Sequence, residues 1–204
     1  RPAEIVFTGS GTESDNLAVY GATLARKHLG RHIVASPVEH AAVRLTVDAL
    51  EAEGWAVTRL PVDADGRVAP ADLAASLRPE TVLVTIQHAN NEIGTIQDLA
   101  ALSALVRAAR ETVGPGGQAV FHTDAVQSAG KIPVDVGALG VDLLTFSAHK
   151  IHGPKGVGAL WVRPGVILAP RLHGGHQENG RRAGTDNVPG IVGFGAACSL
   201  AADG

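Results

Sequence analysis

Val141-Asp-Leu-Leu-Thr-Phe-Ser-Ala-His-Lys150, continued by Ile151-His-Gly-Pro-Lys-Gly156, is the stretch on which the reading of this chain turns. The apolar run Val141 to Phe146 reads as a buried strand. It ends in Ser147, His149 and Lys150, after which Gly153, Pro154 and Gly156 break the chain into a turn. A strand aims its last side chains at the carboxyl edge of a sheet, where open α/β sheets bind ligands. An amine held there and partly desolvated is equipped to attack a carbonyl. Taken alone, the same residues also describe a plain surface lysine in a Gly-Pro turn. The rest of the chain has to decide.

Of 204 residues, 45% are apolar but only 3% are aromatic. The core must therefore be Ala, Val, Leu and Ile, as in a parallel sheet covered by helices. One domain of this size buries about 70% of its unfolded surface, enough for a real core. The net charge of −3, with signs mixed along the chain, gives no footprint for nucleic acid or an anionic membrane. No apolar run is long enough to span a bilayer, and no signal-peptide pattern opens the chain. The single cysteine, Cys198, excludes an internal disulfide and fits a reducing, cytoplasmic setting. In the helical context Gly195-Ala-Ala-Cys-Ser-Leu200 it reads as a packed small residue. The chain starts almost directly with a strand and stops in a helical pattern, so it reads as a piece of a longer polypeptide.

Strand-like and helix-like segments alternate outward from the lysine stretch. Glu4 to Thr8 is a short strand; Gly9-Ser-Gly-Thr12 then leads into a helix expected from about Glu13 to His28. A strand, a glycine turn and a helix start present free N–H groups and a positive helix end to an anion. Ordinary helix capping uses the same residues. Arg31 to Ala35 is the next strand, and Val38-Glu39-His40 opens a second helix, which places His40 at a strand-to-helix junction. Trp55 to Pro61 is a third strand, and Ala71 to Leu77 a short helix. Thr81 to Ile86 is a β-branched core strand running into Gln87-His-Ala-Asn-Asn91-Glu-Ile-Gly94. Such polar groups after a core strand suit hydrogen bonds to a ligand, or simply an Asn-rich turn. A helix follows from Gln97 to Thr112, then a Gly-Pro connection over Val113 to Gly117. Gln118 to His122 is a strand followed by Asp124 and, three residues on, Gln127. Gly158 to Val162 is a last strand, antiparallel because so short a turn precedes it. His173 and His176 lack a third ligand at supporting spacing, so no metal site is assigned.

This alternation predicts an α/β fold with a mainly parallel, doubly wound sheet flanked by helices. In it Gly11, Thr12, His40, Asn91, Asp124, Gln127, Ser147, His149 and Lys150 all come after strands and converge on one rim. They supply a phosphate cup, an aromatic cap, an acid for a ring nitrogen, amides for a ring oxygen, and an amine. That is the inventory of a pyridoxal 5'-phosphate site, a cofactor that draws electrons only while its ring nitrogen stays protonated.

The motifs Phe7-Thr-Gly-Ser-Gly-Thr-Glu-Ser-Asp-Asn16, Glu39-His40, His88-Ala-Asn-Asn-Glu-Ile-Gly94, Thr123-Asp-Ala-Val-Gln-Ser128, Phe146 to Gly156 and Gly174 to Thr185 run through nearly the whole chain. In order and spacing the chain resembles the large domain of cysteine desulfurases of the NifS and IscS type, fold-type-I enzymes dependent on pyridoxal phosphate. The resemblance implies that residues 1–204 form one cofactor-binding domain. It implies that Lys150 captures the cofactor aldehyde and later moves protons, and that His40 stacks on the ring and joins acid–base steps. Asp124 would pair with the ring nitrogen, Gln127 and Asn91 would face the ring oxygen, and Gly11, Thr12, Ser147 and His149 would hold the phosphate. Thr185 would reach the phosphate of a partner subunit, implying a homodimer. Lys155 competes with Lys150 but lies beyond Pro154. The implied reaction converts L-cysteine to L-alanine and passes sulfane sulfur, through an enzyme persulfide, to an acceptor or scaffold protein for iron–sulfur clusters or thiocofactors. In this family the sulfur-accepting cysteine and a substrate-binding arginine lie beyond the region matched here. A selenocysteine lyase, a class V aminotransferase and a non-catalytic scaffold are the competing readings; intact Lys150, Asp124 and His40 speak against the last.

Overall fold

The computed structural model describes residues 1–113 and 119–203. Seven strands form one sheet: β1 (Ile5–Thr8), β2 (His32–Ala35), β3 (Ala56–Arg59), β4 (Thr81–Thr85), β5 (Val120–Asp124), β6 (Leu143–Ser147) and β7 (Gly158–Val162). Their spatial order is β1-β7-β6-β5-β4-β2-β3. The neighbours from β6 through to β3 are all parallel, whereas β7 is antiparallel to both β6 and β1. Two reversals cancel, so β1 runs in the same direction as β6. Its carboxyl end therefore reaches the same rim as those of β2, β4, β5 and β6. Every residue of β2, β4, β5 and β7 is buried, which is why these strands read as continuous apolar or Thr-rich runs instead of alternating ones.

Helices α1 (Gly11–Arg26), α2 (Ala41–Ala52), α3 (Pro70–Ser76), α4 (Leu99–Val113), α5 (Val136–Leu139) and α6 (Val188–Asp203) complete the chain. Leu17, Val19, Val43, Val47 and Leu50 of α1 and α2 pack with Val6, Ile33, Leu83 and Leu160 in one core. Leu73, Leu99, Leu102 and Val106 of α3 and α4 pack with Val84, Phe121 and Leu144 in a second. A third, smaller core sets Phe194 and Ala197 of α6 on Ala148, Ile151 and Val157, with the Phe146 and Phe194 rings 5.2 Å apart.

Several boundaries differ from expectation. Helix α1 begins at Gly11 instead of Glu13, because the Ser10 hydroxyl accepts the Glu13 N–H at 3.1 Å and draws the glycine turn into the first helical turn. Helix α2 begins at Ala41, with His40 as its cap: Nδ1 accepts the Ala42 N–H at 3.1 Å. Strand β5 runs on to Asp124, two residues past the expected end at His122, so Asp124 closes the strand and does not follow it. Cys198, expected to be packed, is exposed on α6. The Gly-Pro connection expected over 113–117 lies at and beyond the edge of the described residues.

Candidate active site

The rim holds a cavity of about 360 Å³ lined by Gly11, Thr12, His40, Asn91, Asp124, Gln127, Ser147, His149 and Lys150, together with Ser10, Asp15, Gln87 and Val126. Nine of the ten site residues expected from sequence therefore meet in one place. Thr185, the tenth, lies apart, exposed beside Gly9, Gly156 and Asn187 in a smaller hollow. Lys155 is exposed and does not line the cavity. A larger hollow of about 650 Å³ opens beside α6 but is mostly apolar, lined by residues such as Ile5, Val134, Phe146 and Trp161. It offers no comparable chemistry.

Local structure explains the placement. Lys150 sits in a single 3-10 turn, Ala148–Ile151, that leaves β6 directly. Ala148 and Ile151 are buried under α6, so the lysine between them is pinned by its own neighbours. His152 (φ 65°) and Gly156 (φ 80°) then turn the chain back into β7. The glycine cup at the start of α1 depends on a close approach. A Cβ at Gly158 would stand 2.8 Å from the Gly11 nitrogen and closer still to the Ser10 carbonyl. A Cβ at Gly11 itself would press on Val126 and Ser147 at 3.1 and 3.3 Å. Beside these two glycines the Ser147 hydroxyl meets His149 Nδ1 at 2.8 Å. Burial and the nearby Lys150 and Lys155 charges hold the His149 imidazole below its ordinary pKa.

On the opposite wall the loop after β4 is organised by Asn90. Its amide donates to the Val38 carbonyl at 2.8 Å, and its Oδ1 accepts from the Glu92 and Ile93 backbones. This ties the loop to the junction that carries His40. Because His40 Nδ1 accepts a backbone N–H, the neutral ring carries its proton on Nε2.

Asp124 closes the floor. It is 2% exposed, and one oxygen accepts the Val126 N–H at 2.8 Å. Burial raises its pKa, opposed by that hydrogen bond and by the His40 and Lys150 charges. Two further acids lie inside the quoted motifs without a role assigned to them there. Asp15 on α1 is 1% exposed, and its Oδ1 has no hydrogen-bond partner among the described residues. Burial, then the Asp124 charge, hold its carboxyl well above the ordinary range, against the Thr145 hydroxyl, which pulls it down. Glu39, next to the capping histidine, accepts the Gln87 N–H at 2.6 Å, while its other oxygen is unpartnered. Burial pushes its pKa up to about 8. A signal for Asp15 does exist: it shares the stripe of Ala18, Val19 and Ala22, spaced for one helix face. An acid in an apolar stripe is a buried acid.

Residues 1–204 match the aminotransferase class-V family model from end to end. The chain belongs to that family. This class-V chain is 52% identical over 198 residues to the cysteine desulfurase IscS of Dictyoglomus turgidum, a match covering 97% of the chain and 48% of that relative. A solved NifS-like protein superposes on all of it with a TM-score of 0.93 at 42% identity, over 54% of the solved chain. SspA, solved in complex with cysteine, gives 0.89 at 40% identity over 98% of this chain and 56% of its own. The class-V chain thus spans about half the length of the curated relatives it matches. The implied family and the mainly parallel, doubly wound fold both hold.

Proposed function

We propose that residues 1–204 form the cofactor-binding domain of a pyridoxal-phosphate-dependent cysteine desulfurase, cytoplasmic and acting as a homodimer. The full-length protein would turn L-cysteine into L-alanine and hand sulfane sulfur to an acceptor protein. The observation that carries this reading is the meeting of Lys150, Asp124 and His40 in one cavity, from three elements far apart in sequence.

The residues present fit the cofactor. Gly11 and Gly158 let the start of α1 pack closely on Ser147 and β7 at the cavity wall, where its free N–H groups can take a phosphate. Asp124 is a buried carboxyl with only a backbone partner, the acceptor a cationic ring nitrogen needs. When bound, the cofactor supplies an electron sink for breaking bonds at the substrate α-carbon. Gly11, Thr12, Ser147 and His149 would hold its phosphate, and Thr185 would reach that of the partner subunit. Gln127 and Asn91 would face the ring oxygen. His40, with its proton on Nε2, would cover the ring and exchange protons there. Lys150, half-buried, would bind the aldehyde and carry a proton to and from the α-carbon.

Adding pyridoxal phosphate to the full-length protein should produce a visible to near-ultraviolet absorption band, and L-cysteine should yield alanine. Lys150→Ala should lose the band and on the order of 10²–10⁴-fold or more of turnover, while Lys155→Ala keeps both. The opposite pattern would transfer the amine's role to Lys155.

A further inference from the structure

Asp15 is a buried acid beneath the candidate site to which neither the family motifs nor the proposed reaction gives a task. One ligand-type atom of Asp15, one of Asp124 and one of His40 lie within 4.8 Å of one another. The nearest nitrogen on its other side is His122 Nε2, 3.6 Å from Asp15 Oδ1, too long for a hydrogen bond. The two ring nitrogens of His122 already face Thr85 and Thr145 hydroxyls at 2.9 and 3.1 Å. That imidazole is fully buried, with its pKa depressed to about 3, so it is neutral and supplies no counter-charge. The remaining charged or titratable groups around the pair are Glu39 and His40 at the start of α2, and Lys150 after β6. Glu39, its pKa pushed up to about 8, supplies no positive charge to the cluster, while His40 and Lys150 act on Asp124. An ionised Asp15 would thus be a dry carboxylate with one oxygen unpaired, beside a second carboxylate; such a group takes up a proton instead.

We propose that Asp15 is a positioning residue: as a neutral carboxylic acid it directs its O–H to the Asp124 carboxylate, so that the pair carries one negative charge. Two carboxyls sharing one proton is what like-charge proximity in a dry site produces. The shared charge matches a single cationic ring nitrogen. Two charges would leave one uncompensated, and none would leave the ring unprotonated. The protonated Asp15 oxygen becomes the donor atom, and Asp124 then has a fixed partner on each side: the Val126 N–H and the Asp15 O–H.

The match to the ring nitrogen rests on the cofactor reading above, but the protonation state does not, so the first measurement uses the full-length protein without cofactor. Carboxyl ¹³C NMR across pH should show Asp15 protonated at neutral pH while Asp124 ionises first; an ionised Asp15 overturns the proposal. Asp15→Asn keeps a donor and no charge, and should leave the Asp124 titration in place. Asp15→Leu removes the donor and should move that titration upward. A downward move in either variant would mean that Asp15 had been an anion. With pyridoxal phosphate, Asp15→Leu should bind about tenfold more weakly, the worth of one hydrogen bond to a charged group, and Asp15→Asn within about threefold of wild type. Equal losses in the two variants, or none in Asp15→Leu, overturn the donor role. If wild type itself binds no cofactor, the functional reading fails while the NMR result stands.

Discussion

Two buried aspartates at opposite ends of adjacent strands show how differently one sheet uses its two edges. Asp142, just before β6, is met by Arg110 and by Arg163 Nε at 3.2 Å, and accepts the Phe121 N–H at 2.8 Å. Its charge is balanced by residues of its own chain. Asp124, at the far end of β5, has one backbone donor and two more acids, Asp15 and Glu39, close enough to act on its neighbourhood. The first arrangement is complete and holds strands together. The second has no ion pair of its own among the described residues, and that is the mark of a site built for something that arrives from outside.

Asp124→Asn should break the comparison most sharply. Removing the carboxylate should cost roughly 10²–10⁴-fold in alanine release with little loss of thermal stability, since no ion pair among the described residues is cut. Glu39 sharpens it on the side of pH. Its folded pKa of about 8 lies above the ordinary 4.5, so the folded state holds a proton that the unfolded state has released. Its contribution is therefore present at low pH and is lost as pH rises through that window. Glu39→Gln should remove a slope on the order of 1 kcal/mol per pH unit from denaturation measured at successive pH values. Asp142→Asn should do the reverse of Asp124→Asn, lowering stability by roughly 2 kcal/mol while leaving cofactor affinity intact. That is less than for a fully buried pair, because both arginines reach solvent. Cys198→Ala should be the mildest: under about 0.5 kcal/mol in unfolding and unchanged sulfur transfer in the full-length protein, because the thiol borders the apolar hollow and not the cavity.

The completed edge is hard to read from sequence and the open one easier, for physical reasons. Thr81-Val-Leu-Val-Thr85 and Leu143-Leu-Thr-Phe146 announce buried strands by composition, and residues just past a strand in such a sheet fall on the rim. That logic needs no knowledge of packing, and it places Asp124, His40 and Lys150. Asp15 and Glu39 require knowing which helix face meets the sheet, because an acid early in a helix is ordinarily a solvated residue or a cap. Lys150 is separable from Lys155 in sequence only by motif and position. In the structure the distinction comes from Ala148 and Ile151, whose burial under α6 fixes one lysine and leaves the other outside. Exposure of Cys198 is equally invisible in sequence, since α6 has small residues on every side and shows no clear stripe.

The reversed strand β7 has an implication for biosynthesis. Ile5 and Thr8 find their partners only at Trp161 and Gly158, more than 145 residues later. β1 must wait, unpaired, until β7 has left the ribosome, and the glycine cup anchored to it takes shape only then. Capture of the cofactor would then report that the sheet has closed, and nascent chains stalled before β7 should fail to acquire it.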